Sequence, residues 1–393
     1  MSPHGHGGGA LYDVAVIGAG PAGNFCATLT ARAGLSTLIL EEHEAPGLFV
    51  NCTGIIGAEA FRRLELPTEP ILNSLQAITF YSPSGQSFRY DPGQPMAHIV
   101  SRLQFDQTLS EWAREAGAQL RTGYHARLIR NDSDTVELRQ REDDAEPVRA
   151  RSVVIATGFG SNLPLQVGLQ GPREIVYGAQ AEVEMEDLRD VEIYLGRKVA
   201  PEAFGWVVPL QPGIARVGLV AMKEAPVYFR QLLQHPQIAG RIRTPQPKML
   251  LSPVPTEPID RSFTDRVLVV GEAAGQVKTT TQGGIYYGML CAAMAAETLI
   301  EAARLGDFRS SLLGKYEAAW TQAIGQELKM GLSLRQVFAR LSDNQIDALV
   351  ELGTRDDIIG LVKRLAQFDW HRDLIQTSLN LPALQEVVRG GLW

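Results

Sequence analysis

Residues Leu11 to Glu42 read LYDVAVIGAGPAGNFCATLTARAGLSTLILEE. Val14 to Ile17 is a short apolar run with β-branched residues, the pattern of a buried parallel strand. Gly18, Gly20 and Gly23, with Pro21 and Ala22 between them, complete G-x-G-x-x-G. The first glycine permits a tight turn. The second lets the backbone approach a pyrophosphate, and the third lets a helix pack closely. That helix runs through Ala31 and presents its N-terminal amides to an anion. A second strand, Thr37 to Leu40, ends at Glu41, roughly where an acid receives a ribose hydroxyl. Glu42 is counted with the site but reads more simply as a solvated neighbour. The motif alone is weak evidence. Strand, glycines, helix, strand and acid in this order point to a dinucleotide-binding α/β unit. They do not separate FAD from NAD.

The rest of the chain bounds the problem. Its 393 residues allow two or three domains and a large core. Hydrophobic residues make up 45% and charged residues 21%, ordinary for a globular protein. A net charge of −7 argues against nucleic acid as a partner. Cys26, Cys52 and Cys291 are too few, and odd in number, for a disulfide framework, which suits a reducing, cytoplasmic setting. Residues 1–10 read as a flexible tail rather than a signal peptide, and His4 and His6 as part of it rather than a metal site. No apolar run is long enough to span a bilayer.

A second glycine-rich stretch begins at Val270: VGEAAGQVKTTTQGGIYYGMLCA. It follows a strand and enters a helix near Ile285, yet it is not a G-x-G-x-x-G. Between the two stretches, QAITFYSPSGQSFRYD alternates like a hairpin, and a helix from about Leu103 to Ala116 places Phe105, Leu109 and Trp112 on one face. Strands are expected over Leu120 to Ile129, Thr135 to Arg139 and Ser152 to Ile155, with Arg141, Glu142, Asp143 and Asp144 as a solvated turn. VEIYLG, FGWVVPL and ARVGLVAM alternate like an antiparallel sheet, and RTPQPKMLLSPVPTEP reads as a proline-rich crossing. From Met289 onward the pattern is mostly helical, with Ser342 and Gln345 as a capping box and Gly353 as a helix stop.

GAGPAG with Glu41, the NCTGI turn, P-x-x-[YF]-x-W-x-x-P over Pro201 to Pro209, and GEAAGQVKTTTQGGIYYG together resemble the geranylgeranyl reductase family. That family belongs to the flavoproteins folded like p-hydroxybenzoate hydroxylase. The resemblance covers most of the chain, and the last motif is highly specific. It implies one FAD held between both glycine loops. The implied fold is α/β: a Rossmann-like FAD-binding domain, an inserted antiparallel β-sheet substrate domain and a helical C-terminal region. The implied boundaries are 11–74, 97–172 and 262–305 for the first, 75–96 and 173–261 for the second, and 306–393 for the third.

The resemblance also assigns residues. Gly271 and Glu272 would meet ribityl or ribose hydroxyls, with Glu272 where the class usually has Asp. Gln282, Gly283 and Gly284 would bring backbone amides to the flavin ring at the start of the helix near Ile285, whose dipole favours an anionic reduced flavin. Arg102 would reach the FAD phosphates, and Thr157-Gly158 would form a cofactor-side turn where the hydroxylases have Asp-Gly. Pro201, Phe204, Trp206, Val208 and Pro209 would form the substrate-cavity strand, Phe204 replacing a usual Tyr and Val208 a usual Phe. Cys52 lies at the family's cysteine position, and either lines the active site or packs as a small hydrophobe. Cys52, Tyr286 and Tyr287 are the candidate acids, while Cys26 and Cys291 read as packing residues.

The activity implied is FAD-dependent reduction of carbon–carbon double bonds in an isoprenoid or prenyl lipid. A hydroxylase on the same fold is the second reading, since fold does not fix chemistry. Halogenases carry a W-x-W strand and an N-terminal lysine; here the first Trp position is Phe204 and no lysine precedes Lys198. A flavoprotein that binds lipid or carries electrons without turnover is the third. No second dinucleotide fingerprint occurs, so NADPH docking directly and a ferredoxin-like donor protein both stand. The C-terminal helices either pack or touch the inner face of a membrane.

Overall fold

The computed structural model describes residues 10–132, 134–140 and 146–389. The expected turn residues Arg141, Glu142, Asp143 and Asp144 lie outside them, as do residues 1–9 of the tail.

The apolar runs build a parallel sheet. Leu11–Ile17 lies between Val148–Ile155 and Thr37–Leu40, with Val267–Val269 beyond the former and Gln119–Arg121 beyond the latter. Side chains alternate across it. Val14, Val16, Ile39 and Val154 join the helices Pro21–Arg32, Arg102–Glu115 and Ile285–Leu305 in one core. Ala15, Ile17, Leu38 and Val153 pack on the opposite face with Ile129 and Leu138 of the hairpin Ala126–Asn131/Val136–Gln140. The single strand expected over Leu120 to Ile129 is therefore two. Gly123, at φ +67°, turns the chain out of the parallel sheet, and its N–H donates to the His43 carbonyl at 2.9 Å.

A seven-stranded sheet runs in the order Leu250–Pro255, Ile175–Glu184, Ile214–Ala221, Gly205–Gln211, Val191–Tyr194, Ile78–Tyr81, Ser87–Tyr90. It is mixed rather than wholly antiparallel, because Val191–Tyr194 pairs parallel with Ile78–Tyr81. The proline-rich crossing contains the edge strand Leu250–Pro255. Pro253 and Pro255 are tolerated there because an edge strand has one side free of ladder bonds. Helices follow from Ile285 onward, and Ser342 and Gln345 form the capping box at Asp343–Gly353. Among the described residues no helix is long and apolar enough to cross a membrane.

Candidate functional site

The first glycine loop leaves the end of Leu11–Ile17 with almost no room to spare. Gly18 has φ +106°, and a Cβ there would overlap the Ala156 carbonyl. A Cβ on Gly23 would overlap the Gly18 carbonyl, whereas one on Gly20 would meet nothing within 4 Å. Gly20 caps Pro21–Arg32 with no side-chain bond. The open glycine and uncapped first-turn amides suit an anionic ligand. Glu41 Oε2 accepts from the Ala19 N–H at 2.9 Å and Oε1 from the His43 N–H at 3.0 Å, so the acid is fixed to the loop. Glu42 faces the same space, half-exposed, 3.4 Å from His125 Nε2.

The second loop presses on the first. Ala22, Gly271 and Gly288 meet: a Cβ on Gly271 would lie 3.1 Å from the Ala22 Cβ, and one on Gly288 3.2 Å from the Gly271 Cα. Gly284 caps Ile285–Leu305, again without a side-chain bond. Gln282 sits at φ +61°, a costly conformation for a residue with a Cβ, and its Oε1 is buried without a partner. Polar groups left unsatisfied beside a cavity fit a ligand that completes them.

Both loops open into one cavity of about 1390 Å³, more than a single ligand of ordinary size fills. Gly18, Gly20, Pro21, Ala22, Glu41 and Glu42 line it from the first loop. Gly271, Glu272, Gln282, Gly283, Gly284 and Ile285 line it from the second. Thr157, Gly158, Cys52 and Arg102 lie between them. Gly23 is not in the wall; it packs beneath the loop. Arg102 forks onto Asp106, with Nε–Oδ1 at 3.0 Å and Nη2–Oδ2 at 2.9 Å. Burial raises the Asp106 carboxyl and Arg102 opposes that shift. Burial likewise raises Glu272 above the usual carboxylate range, against the pull of the Arg102 guanidinium. The Gly54 N–H donates to Cys52 Sγ at 3.4 Å.

The far wall is the seven-stranded sheet. Phe204, Trp206 and Val208 alternate onto the cavity, as period-two geometry requires. Their neighbour Gly218 leaves space for the indole, since a Cβ there would lie 2.6 Å from Trp206 Cζ2. Pro201 and Pro209 do not line the cavity, and neither does Tyr286. The Tyr286 hydroxyl instead sits between Glu59 Oε1 at 3.3 Å and Arg63 Nη1 at 3.4 Å, and burial raises its pKa to about 12. Tyr287 is buried too, donating to the Asp369 carbonyl at 2.7 Å. Cys26 and Cys291 are buried in the helical core.

Three polar side chains missed in the sequence bridge the cavity wall. Gln180 Nε2 donates to Asn51 Oδ1 at 2.7 Å, and Asn51 Nδ2 to Ser252 Oγ at 2.9 Å. Gln180 was visible as a polar residue in an apolar strand and Asn51 as the first residue of the NCTGI turn; Ser252 carried no such signal. Leu334, Arg335 and Phe338 of Ser310–Phe338, and Phe368, bring the C-terminal region to the same cavity.

Comparison with known proteins gives the family. The model described as pyridine nucleotide-disulphide oxidoreductase matches residues 12–193. A digeranylgeranylglycerophospholipid reductase of Methanocaldococcus jannaschii is 32% identical over 90% of this chain and 93% of its own. Among solved structures, a geranylgeranyl bacteriochlorophyll reductase-like protein of Thermoplasma acidophilum superposes with TM-score 0.83 at 22% identity, covering 97% of this chain and all (100%) of that one. Halogenase PltM, solved with phloroglucinol and FAD, gives TM-score 0.69 at 16% identity over 96% of this chain and 90% of its own, and shares the fold. The chain belongs to the geranylgeranyl reductase family of FAD-dependent oxidoreductases.

Proposed function

We propose that this protein binds one FAD between its two glycine loops and reduces carbon–carbon double bonds of an isoprenoid chain carried by a lipid. One observation carries the reading: a single cavity runs from two loops of uncapped helix amides to an apolar wall of Phe204, Trp206 and Val208. The reductase name and coverage of the Methanocaldococcus relative support it. FAD, when bound and reduced, supplies hydride. The chain's own residues bind, orient and exclude water. Glu41 and the first loop hold the dinucleotide end, and the amides after Gly284 favour negative charge at the other. The sheet wall holds the alkene and keeps out water and oxygen. Cys52 is the acid candidate that faces the cavity; Tyr286 is enclosed elsewhere.

Denaturing the purified protein should release free FAD. The photoreduced protein should be reoxidised without oxygen by a polyprenyl lipid, with return of the oxidised flavin spectrum. Release of FMN or of no flavin overturns the cofactor reading. Reoxidation only on admitting oxygen, with an oxygenated product, overturns the reductase reading in favour of a hydroxylase.

A further inference from the structure

Beside Gly283 the cavity wall carries a buried cation. Lys278 lies in the second loop with its side chain 7% exposed, and its Nζ pairs with Asp369 Oδ1 at 2.8 Å. The same Nζ lies 4.5 Å from the centre of the Phe368 ring and donates to the Phe368 carbonyl at 3.4 Å. Phe368 and Asp369 belong to the connector between Asp356–Leu365 and Arg372–Leu379.

Stability alone explains this pair poorly. Two buried charges cost more in lost hydration than apolar side chains of the same volume would. Asp369 Oδ2, moreover, has no partner. The pair is also oriented. Lys278 and Phe368 line the cavity, and Asp369 does not. A Cβ on Gly283 would come within 2.8 Å of Lys278 Cε and 3.3 Å of Nζ. A Cβ on Gly57, on the far side, would overlap Asp369 Oδ2. The positive end therefore faces the cofactor loop and the negative end faces away. His371 adds no charge: burial lowers its pKa to about 4, and Thr280 and the Phe368 carbonyl occupy its ring nitrogens.

We propose that Lys278 is an electrostatic partner of the bound cofactor, holding its reduced, anionic form and raising its reduction potential. Asp369 is a positioning residue that acts through Lys278 and partly offsets its charge. The C-terminal connector thus belongs to the redox site. The inference rests on the FAD reading above.

The test uses the full chain as wild type, Lys278→Gln, Lys278→Arg and Asp369→Asn. Flavin content is measured after denaturation, folding by circular dichroism, and the midpoint potential of the bound flavin by equilibration with reference dyes. Lys278→Gln should move the potential more negative, and Lys278→Arg should return it to the wild-type side. Asp369→Asn should move it more positive, because the ammonium loses its counter-charge. An unchanged potential in Lys278→Gln at full flavin content overturns the proposal and leaves the FAD reading intact. Wild-type protein without flavin overturns that reading instead. Should Lys278→Gln not fold, an unchanged or more negative potential in Asp369→Asn overturns the proposal by itself.

Discussion

The two glycine loops share a cavity but are held by different means. The first is fixed mainly within its own strand–helix–strand unit, with the Ala156 backbone closing on Gly18. The Gly18 N–H donates to the Leu40 carbonyl at 2.8 Å, the Ala19 N–H to Glu41 at 2.9 Å, and Asn24 Nδ2 to the Ala19 carbonyl at 2.6 Å. The second is fixed from far along the chain. The Gly271 N–H donates to Gln276 Oε1 at 2.7 Å, Gln276 Nε2 to the Tyr316 hydroxyl at 2.7 Å, and that hydroxyl to the Val269 carbonyl at 2.8 Å. Thr279 donates to the Leu328 carbonyl at 3.1 Å, and Thr280 and Lys278 reach His371 and Asp369. Backbone crowding shapes one loop, and tertiary contacts from the C-terminal helices shape the other. A change in those helices therefore reaches the second-loop side of the cavity through specific residues.

The largest effect should come from Gly23→Val. Its side chain must displace the Gly18 carbonyl, an overpacking that costs about 1–3 kcal/mol or more and closes the cradle. Flavin content should fall close to zero, as read by absorbance of the denatured filtrate. Gln276→Leu should come next. It strands the Gly271 N–H, worth about 1–3 kcal/mol as a buried unpaired donor, and unties Tyr316 from the loop. Thermal unfolding should fall to lower temperature, with weakened flavin retention. If Gln276→Leu binds flavin as wild type does, the second loop does not depend on Tyr316, and the contrast breaks.

His371 gives a pH-dependent version of the same comparison. Its folded pKa, about 4, lies below its ordinary 6.5 because burial disfavours the charged ring. The unfolded chain therefore takes up the proton first. Stability from this group is full above pH 6.5 and is lost as pH falls towards 4, up to roughly 3 kcal/mol for a shift of this size. Denaturant titrations between those pH values should show a shallower slope in His371→Gln. An identical slope would mean that His371 is not buried as neutral imidazole. Ser342→Ala should be the smallest change, about 1 kcal/mol through loss of the capping box, with flavin content untouched. Loss of flavin in that variant would show that any weakening of the C-terminal region empties the site, without the specific links.

The same contrast explains what the sequence could disclose. The first loop was legible because its strand, glycines, helix and acid are contiguous, and two of its glycines answer a backbone demand: Gly18 by its φ of +106° and Gly23 by the closeness of the Gly18 carbonyl. Phe204, Trp206 and Val208 were placed on the cavity by the family motif, and strand alternation, which is local too, turns them to one face. Lys278, Asp369 and the Asn51–Gln180–Ser252 bridge were not found, since pairs so far apart leave no spacing to read. Tyr286 was drawn to the site by its position after Ile285. Helical geometry turns it towards Glu59 and Arg63 instead. The edge strand Leu250–Pro255 was hidden by its own prolines. The split near Gly123 was hidden by apolar residues on both sides of the turn.

The central claim is that the apolar wall presents an alkene to a flavin held between the two loops. Its most direct test is the mass of the product formed without oxygen. Photoreduced protein is incubated anaerobically with polyprenyl diphosphates, prenylated glycerolipids and prenylquinones, and the lipids are analysed by mass spectrometry. The account predicts a product heavier by about two mass units for each double bond reduced, the mass of one hydride and one proton. Unchanged lipid masses with fully reduced flavin across the panel, or a product formed only with oxygen and heavier by one oxygen atom, would contradict it.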